Sequence, residues 1–461
     1  MAGPAIRAWQ IAADLAAEHD VTLLSTERCT RAGDGFVAGT AGSTGQVLQL
    51  AARADVAIVQ GNVLDRHPGL ADSELPLVVD LYDPFLFEQL EQTRGIEPAT
   101  RRAIVGNARR TAIDSLARGD VFLCASTKQR DLWIGHLAAL GRVNPLTYDA
   151  DPTLHGLVRV VPFGIPAEPP VQHRHPIKGG LPGIGADDLV VLWGGGVYDW
   201  LDPVTVVEAV DLLRQRVPTV RLVFLGMNHP HPDVTEMAVA RQTRQLARDR
   251  GLHDRHVFFV EGWVPYEERA DWLLDADVAV SAHRDHLETA YAFRTRLLDC
   301  LWTGLPIVAS TGDSFAELID RHGLGRTVAP GDRAAMAAAL EELLVDAEAR
   351  RQAQAALGEI AASYTWPAVL EPLRAFCRDP EPAADRADPQ LRRGLRAVRR
   401  AVAPRSRLTR EVETLRGHLE HGGLPLAARK LAARLRRAGT RRAATRRAGT
   451  RRDGARPPSG P

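Results

Sequence analysis

The chain has few cysteines and no long apolar run, and each scarcity excludes a class of protein. Its 461 residues include only four cysteines, which lie far apart without metal-ligand spacing: Cys29, Cys124, Cys300 and Cys377. They predict reduced side chains rather than a disulfide framework or a zinc site. No apolar run approaches the roughly 18 residues that span a bilayer, and no signal-peptide pattern is present. We therefore expect a cytoplasmic protein, either soluble or peripheral on the inner face of the plasma membrane.

Positive charge is concentrated at the end of the chain. Residues 391–461 contain 21 Lys and Arg against 4 Asp and Glu, although the whole chain has a formal net charge of +1. The rest of the chain therefore holds 37 basic and 53 acidic residues. An acidic body with a basic tail (residues 381–461) indicates an anionic partner for that tail.

Three interpretations of the basic tail remain open. Apolar residues recur at helical spacing among the arginines, at Leu391, Leu395, Val398 and Val402 and again from Leu426 to Ala438. This pattern is typical of a basic amphipathic helix on an anionic membrane surface. Nucleic acid attracts the same charge but is disfavoured, because the tail has no aromatic side chain to stack on bases. The third interpretation is a disordered, Arg-rich extension without a fixed partner.

Short apolar runs alternate with helical patterns through the body of the chain. In the first half, the predicted strands are Val21–Leu24, Val56–Val59, Leu77–Asp80, Val121–Cys124 and Val158–Val161. In the second half they are Leu189–Trp193, Val220–Gly226, Val257–Val260, Val278–Ser281 and Ile307–Ala309. This alternation predicts two α/β domains with parallel, doubly wound sheets, at residues 1–168 and 186–364. A Pro- and Gly-rich linker (169–185) separates them, and a helix within 365–380 follows.

The stretch from Ala282 to Ala309 combines charge with a helix and a buried strand. Leucines at helical spacing predict a helix over Phe293–Trp302 with one buried face. Gly304 ends this helix and Pro306 prevents its resumption. The unit therefore places carboxylate and guanidinium groups at the mouth of a parallel sheet, where ligands bind.

The motif E-T-x-x-x-F-R-T-R-x-L-D-x-L-W followed by Gly304-Leu305-Pro306 resembles the nucleotide-sugar site of the family 4 retaining glycosyltransferases. Those enzymes have the GT-B fold, in which two Rossmann-like domains face each other across a cleft, and carry a spaced pair of glutamates. Asp299 matches the second glutamate, whereas Tyr291 occupies the position of the first. Glu288, one helical turn earlier, is our substitute for the first carboxylate.

The resemblance implies metal-independent transfer of a sugar from a nucleotide-sugar donor to a glycan or lipid-linked acceptor, with retention of configuration. Such a reaction serves cell-surface polysaccharide or glycoconjugate synthesis. Asp299 would hold ribose hydroxyls and Glu288 the hydroxyls of the transferred sugar. The family's basic pair after the glycine loop is absent here. The donor diphosphate would therefore meet other backbone and cationic groups. The candidates are Gly195, Gly196, Arg294 and Arg296.

The acceptor would lie against the loop Asp80–Pro84. Asp83 is placed to orient or deprotonate the acceptor hydroxyl, so Asp83 and Glu288 are the candidate catalytic residues. No metal or cofactor is expected. His229 and His231 have no third ligand type nearby, and Asp275-Ala276-Asp277 precedes a strand, which indicates structural helix-end residues.

Two other functions remain open. Another GT-B enzyme, such as a nucleotide-sugar epimerase, would need acid and base groups in the cleft. A catalytically silent scaffold or binding protein fits the tyrosine at position 291 and the absent basic pair.

The chain begins within a glycine loop and helix that a strand precedes in the enzymes it resembles. We expect either a start upstream of Met1, with roughly ten mostly apolar residues that form this strand, or native truncation. Intact mass and amino-terminal sequencing of the protein from its native source distinguish the two. A native terminus at Met1 would contradict the upstream start.

Overall fold

The computed structural model describes residues 3–26, 28–227, 237–262 and 264–402, and strands alternate with helices throughout. The strands of the first half are β1 (Thr22–Ser25), β2 (Val37–Thr40), β3 (Ala57–Gln60), β4 (Leu77–Asp80), β5 (Val121–Cys124) and β6 (Val158–Val160). Its helices are α1 (Gly3–Leu15), α2 (Thr44–Ala51), α3 (Val63–Arg66), α4 (Pro68–Asp72), α5 (Phe85–Gln92), α6 (Pro98–Arg118), α7 (Thr127–Ala139) and α8 (Pro145–Ala150).

The second half has the same alternation. Its strands are β7 (Leu189–Trp193), β8 (Val220–Phe224), β9 (Val257–Phe259), β10 (Val278–Ser281), β11 (Ile307–Ser310) and β12 (Gly325–Val328). Its helices are α9 (Pro203–Leu213), α10 (Ala238–Asp249), α11 (Arg269–Leu274), α12 (Leu287–Tyr291), α13 (Thr295–Thr303), α14 (Ser314–His322), α15 (Arg333–Val345), α16 (Ala347–Ala361), α17 (Trp366–Arg378) and α18 (Pro389–Val402).

All strand pairs in these sheets are parallel, as the alternation predicts. The first half contains a two-stranded sheet, β1–β2, and a four-stranded sheet in the order β3–β4–β5–β6. The second half contains one six-stranded sheet in the order β12–β11–β10–β7–β8–β9. Every residue of β4, β5, β10 and β11 is buried. Helices on both faces of a parallel sheet produce this burial.

Local signals for helix ends agree with the structure. Asp202 caps α9, because its Oδ1 accepts a hydrogen bond from the Thr205 N–H at 3.2 Å, and Pro203 is the first helical residue. Gly304 ends α13 with a φ of +65°, a conformation that favours glycine. The helix begins at Thr295 rather than Phe293, because the ψ of 74° at Arg294 is not helical.

The two halves share an apolar core, and the chain returns from the second half to the first. Ile6, Val78, Leu192 and Leu298 belong to one cluster of buried side chains. The Trp366 N–H at the start of α17 donates to the carbonyl of Ile165 at 2.9 Å. Helix α17 then lies against α1.

The linker between the halves is held by two aspartates. Asp275 Oδ2 accepts the N–H groups of Ile177 and Lys178 at 2.7 and 2.8 Å, and Asp277 Oδ2 accepts the N–H of Val190 at 2.7 Å. Asp275 and Asp277 therefore hold the linker and the start of β7 in place.

Some sequence predictions fall outside the described residues. They concern a strand before Gly3, the histidines at 229 and 231, Trp263, and the tail from residue 403, including Leu426–Ala438. Within the described ranges, no helix is long and apolar enough to cross a membrane.

The buried ion pair between Arg7 and Asp80 joins α1 to β4. Both oxygens of Asp80 accept hydrogen bonds from Arg7, at 2.7 and 3.0 Å, and the Arg7 side chain is 0% exposed. Arg7→Met leaves Asp80 buried without its cation. We expect a loss of about 3–5 kcal/mol in the free energy of unfolding, measured by urea denaturation. Arg326→Met, which breaks the exposed pair with Glu342, should cost under about 1 kcal/mol. Equal losses in the two variants would contradict this prediction.

Candidate active site

The strand order of the second sheet creates a crevice between β7 and β10. The chain runs from β7 outward through β8 and β9, then crosses to the other side of β7 at β10. Loops that leave neighbouring parallel strands in opposite directions open such a crevice at the carboxyl ends of the strands. The loops here begin with Gly194 after β7 and Ala282 after β10. A ligand of this domain is therefore expected at the crevice.

The glycine loop after β7 presents free backbone donors. Gly195 has a φ of +105°, and a Cβ atom at Gly226 would lie 3.2 Å from the Gly195 carbonyl carbon. Only glycines fit this close approach of two backbones. Among the described residues, the N–H groups of Gly195 and Gly196 have no backbone acceptor. Such donors suit an anion.

Arg296 adds a cation to the glycine loop. Its Nη1 donates to the carbonyl of Gly196 at 2.9 Å, and its guanidinium carbon lies 5.7 Å from the ring centre of Trp193. Burial lowers the pKa of Arg296 to about 10, so the side chain is still cationic at neutral pH. Gly195, Gly196 and Arg296 thus form one site with a positive charge and backbone donors, which suits a diphosphate.

Arg294 lies two residues earlier but is engaged inside the protein. Its Nη1 and Nη2 donate to the two carboxylate oxygens of Glu288, both at 3.1 Å, and its Nε donates to Asp313 at 3.1 Å. Its Nη2 also donates to Thr289 Oγ1 at 3.2 Å. These side chains are at most 6% exposed. That Arg294 meets the diphosphate stays a prediction. In this structure its guanidinium donates to the carboxylates of Glu288 and Asp313.

A histidine completes this buried charge network. His283 Nε2 lies 3.2 Å from Asp313 Oδ2. Burial acts to raise the pKa of Asp313, but the neighbouring His283 and the Arg294 charge outweigh burial and hold it below its usual range. Asp313 is therefore ionised at neutral pH. Two carboxylates share one guanidinium, and Glu288 is held rigidly at the crevice.

Asp299 lies one helical turn beyond Arg296 on α13. Its Oδ1 accepts a hydrogen bond from Arg269 Nε at 3.1 Å, and burial raises its pKa. The Arg269 guanidinium lies between two rings, 3.6 Å from the centre of Tyr266 and 4.5 Å from that of Trp302. The Asp299 side chain is 26% exposed. One carboxylate oxygen is thus fixed by Arg269 while the other can meet a ligand hydroxyl.

The first half contributes a pair of carboxyl groups. Asp83 follows β4 and forms a hydrogen bond with Glu88, in the first turn of α5. Burial raises the pKa of Asp83 to about 6, and the negative charge of Glu288 acts in the same direction. Burial, together with Asp83, raises the pKa of Glu88 as well. The pair therefore holds a proton near neutral pH and lies within electrostatic reach of Glu288.

Tyr291, which replaces the family's first glutamate, forms a contact between the halves. Its ring lies 5.4 Å from that of Phe87 on α5, and its carbonyl accepts a hydrogen bond from Gln129 Nε2 at 2.9 Å. Glu288 lies three residues earlier on the same short helix, α12. The structure therefore brings Asp83, Glu288 and Arg294 to one region, and Gly195, Gly196, Arg296 and Asp299 to another along α13.

Sequence reasoning missed Arg269, Glu88 and Asp313. Arg269 and Asp313 meet their partners only through the packing of separate elements. Glu88 had a weak local signal, because it lies one turn and a half after Asp83 at the start of a helix. Within the described ranges, no group of three or more His, Cys, Asp or Glu is arranged to hold a metal ion.

Comparisons with known proteins agree on the architecture. Sucrose-phosphate synthase from Thermosynechococcus elongatus superposes with a TM-score of 0.58 at 17% identity, over 82% of this chain and 93% of its own. HepE from Anabaena, in complex with UDP and glucose, superposes with a TM-score of 0.58 at 14% identity, over 81% and 96%. A glycosyltransferase from Rickettsia africae gives 0.55 at 11% identity, over 82% and 95%. The chain has the GT-B fold.

The family comparison concerns the second half. Residues 189–346 match the model of the family described as Glycosyl transferases group 1. No curated protein matches the chain. The matched residues include the glycine loop, Arg296 and Asp299. The domain match and the fold together support a GT-B glycosyltransferase.

The raised pKa of Asp83 predicts a pH-dependent stability. The unfolded chain loses the Asp83 proton near pH 4, but the folded chain retains it until about pH 6. Asp83 therefore costs stability as pH rises from 4 to 6. We expect Asp83→Asn to raise the free energy of unfolding at pH 7 by about 1–2 kcal/mol and to leave it unchanged below pH 4. Urea denaturation across pH 3.5–8 measures the difference, with the exposed Asp249→Asn as the control. A difference from wild type that does not vary with pH would contradict the prediction.

Proposed function

We propose that the protein transfers a sugar from a nucleotide-sugar donor to a glycan or lipid-linked acceptor. The observation that carries this proposal is the position of Arg296 against the glycine loop, with Asp299 one helical turn away. A nucleotide sugar has ribose hydroxyls on one side of its diphosphate and the transferred sugar on the other. The proposed contacts along the crevice follow the same order: Asp299 for the ribose, Arg296 with the glycine loop for the diphosphate, and Glu288 for the sugar.

The diphosphate lies at the glycine loop in this proposal. When the bond to the sugar breaks, negative charge develops on the departing phosphate oxygen. The Arg296 guanidinium and the N–H groups of Gly195 and Gly196 stabilise that charge, and they are already in place before the reaction. A protein cation and backbone dipoles supply the charge that a metal ion provides in other enzymes, so the proposed reaction is metal-independent.

The nucleoside and the sugar lie on opposite sides of this diphosphate. The free oxygen of Asp299 accepts hydrogen bonds from ribose hydroxyls, while Arg269 holds the other oxygen and fixes the carboxylate. Glu288 accepts hydrogen bonds from hydroxyls of the transferred sugar, and Arg294 fixes its orientation. HepE, which shares the fold, has been crystallised with UDP and with UDP-glucose, which supports a nucleotide diphosphate as the leaving group.

The acceptor approaches from the first half. Asp83 orients the acceptor hydroxyl and, when ionised, takes its proton, and Glu88 shares that proton by hydrogen bonding to Asp83. Attack from the side on which the diphosphate leaves retains the configuration. A hexosyl group is the proposed cargo, and the cytoplasmic side of the plasma membrane, in cell-surface glycan synthesis, is the proposed place of the reaction.

Two observations favour a second candidate, a nucleotide-binding protein without turnover. Glu288 is only 5% exposed and is paired with Arg294. Asp299 already has a cation partner in Arg269. Binding of a nucleotide without hydrolysis or transfer of any nucleotide sugar would favour this candidate.

The test is a thermal-stability screen with UDP, GDP, dTDP and ADP and their nucleosides, each with magnesium and with EDTA. A single site stabilises the folded state by roughly 2.7 kcal/mol at a hundredfold excess over Kd. We expect one base to bind without metal. Arg296→Gln should weaken binding of the nucleoside diphosphate but leave binding of the nucleoside unchanged. Asp299→Ala should weaken binding of both ligands, because it removes a contact with the ribose.

Two surface variants are the matched controls. Arg326→Gln and Asp249→Ala change the same charges outside the crevice and should bind like the wild type. The proposal fails if no nucleotide stabilises the folded wild type, or if the control variants lose binding as much as the site variants do.

A further inference from the structure

The helix that begins the basic tail is packed against the first half of the protein. Leu395 on α18 is 8% exposed, and Arg399 pairs with Asp114 on α6. One apolar side chain of the predicted amphipathic helix, Leu395, is thus used within the protein. Arg393, Arg396 and Arg400 on the same helix are exposed. Of the apolar residues on α18, Leu395 is therefore buried in the protein whereas Val398 is 36% exposed, and the exposed arginines are the charged groups left for a partner.

A cavity lies between α18, α6 and the segment before α18. Its volume is about 40 Å³, more than the roughly 10–15 Å³ that one water molecule needs. Of the described residues that line it, only Asp385 is acidic. Six arginines line it, namely Arg118, Arg142, Arg386, Arg392, Arg396 and Arg399. We call it the arginine cavity. None of these residues belongs to the proposed donor or acceptor site.

The ion pairs around the arginine cavity do not neutralise it. Asp385 pairs with Arg142, and three further acids lie behind the lining. Asp120 is shared by Arg118 and Arg386, Glu74 by Arg386 and Arg392, and Asp114 pairs with Arg399. Six guanidinium groups thus face four carboxylates. Burial lowers the pKa of Arg118 to about 10; the charges of Arg386 and Arg399 act in the same direction, and Asp120 opposes them.

Guanidinium N–H donors remain free at the rim of the arginine cavity. Among the described residues, Arg396 has no ion-pair or hydrogen-bond partner. Arg392 donates through Nη2 to Glu74, and Arg399 through Nε to Asp114. The other guanidinium nitrogens of Arg392 and Arg399 have no hydrogen-bond acceptor among the described residues. Guanidinium groups bind phosphate oxygens in pairs, so three arginines on one side of α18 can surround a phosphate.

We propose that the arginine cavity is a phosphate-binding site, which takes the phosphate of a soluble phosphate ester or of an anionic lipid headgroup. The occupant is a small anion, because the cavity is small and is lined mainly by arginines. It enters beside α18, where the exposed arginines attract it over a distance of about 8–10 Å at physiological salt.

Calorimetric titration of the full-length chain with inorganic phosphate, at constant ionic strength, tests the site. The cavity variant is Arg392→Gln with Arg396→Gln. The control is Arg393→Gln with Arg400→Gln, on the same helix and with the same change of charge, but outside the cavity. We expect the cavity variant to raise the Kd for phosphate at least about tenfold, since each charge-assisted hydrogen bond contributes affinity of that order. The control should stay within about twofold of the wild type.

Arg296→Gln separates this site from the proposed donor site, since phosphate could bind at either. We expect the phosphate titration of the cavity to persist in that variant, whether or not the protein is a glycosyltransferase. Equal weakening in the cavity and control variants, or no phosphate binding in the wild type, would overturn the proposal. All three variants change exposed or half-buried side chains, so circular dichroism should show an unchanged fold.

Sedimentation with phosphatidylcholine vesicles that contain phosphatidic acid distinguishes the two sources of phosphate. Greater loss of vesicle binding in the cavity variant than in the control assigns the site to a lipid headgroup. If the cavity and control variants bind vesicles equally, while only the cavity variant loses phosphate affinity in the titration, the site is assigned to a soluble phosphate ester.

Discussion

The buried guanidinium of Arg294 is the interaction on which the candidate site depends. It joins Glu288 on α12 to Asp313 at the start of α14, and it lies at the start of α13 itself. Two buried carboxylates without a cation would cost several kcal/mol in desolvation, so these three elements keep one relative position. Arg296 and Asp299, on α13, are placed at the crevice by the same constraint.

Two arginines that are close in sequence thus have different roles. Arg294 precedes the helix and turns inward to carboxylates, whereas Arg296, in the first helical turn, faces the glycine loop. A stabilising cation must have its donors satisfied by the protein, but a ligand-binding cation must keep some free. In the proposed donor site the two arginines therefore differ in role, structural for Arg294 and binding for Arg296. Each acidic residue is fixed by a different arginine, Glu288 by Arg294 and Asp299 by Arg269.

The charge asymmetry of the chain also has two components. Part of the basic segment lies within the described structure, where α18 covers acidic residues of the first half and leaves an excess of guanidinium groups around the arginine cavity. The remainder of the tail lies beyond residue 402. An acidic body and a basic terminal segment consequently meet at α18, where Leu395 is buried in this contact.

The sequence alone determined the α/β alternation, the strands that are buried on both faces, the start of α9 and the end of α13, because these features depend on local patterns of burial, capping and glycine conformation. It missed β2 and β12, which are partly exposed edge strands; β2 contains Gly39 and β12 begins with Gly325. It also placed Arg296 and Asp299 in one unit. Tertiary structure decided the pairing of Arg269 with Asp299, of Glu88 with Asp83, and of Arg294 with two carboxylates. Those pairs join elements that are separate in the chain, and only the packing of the sheets and helices sets the distance between their charges.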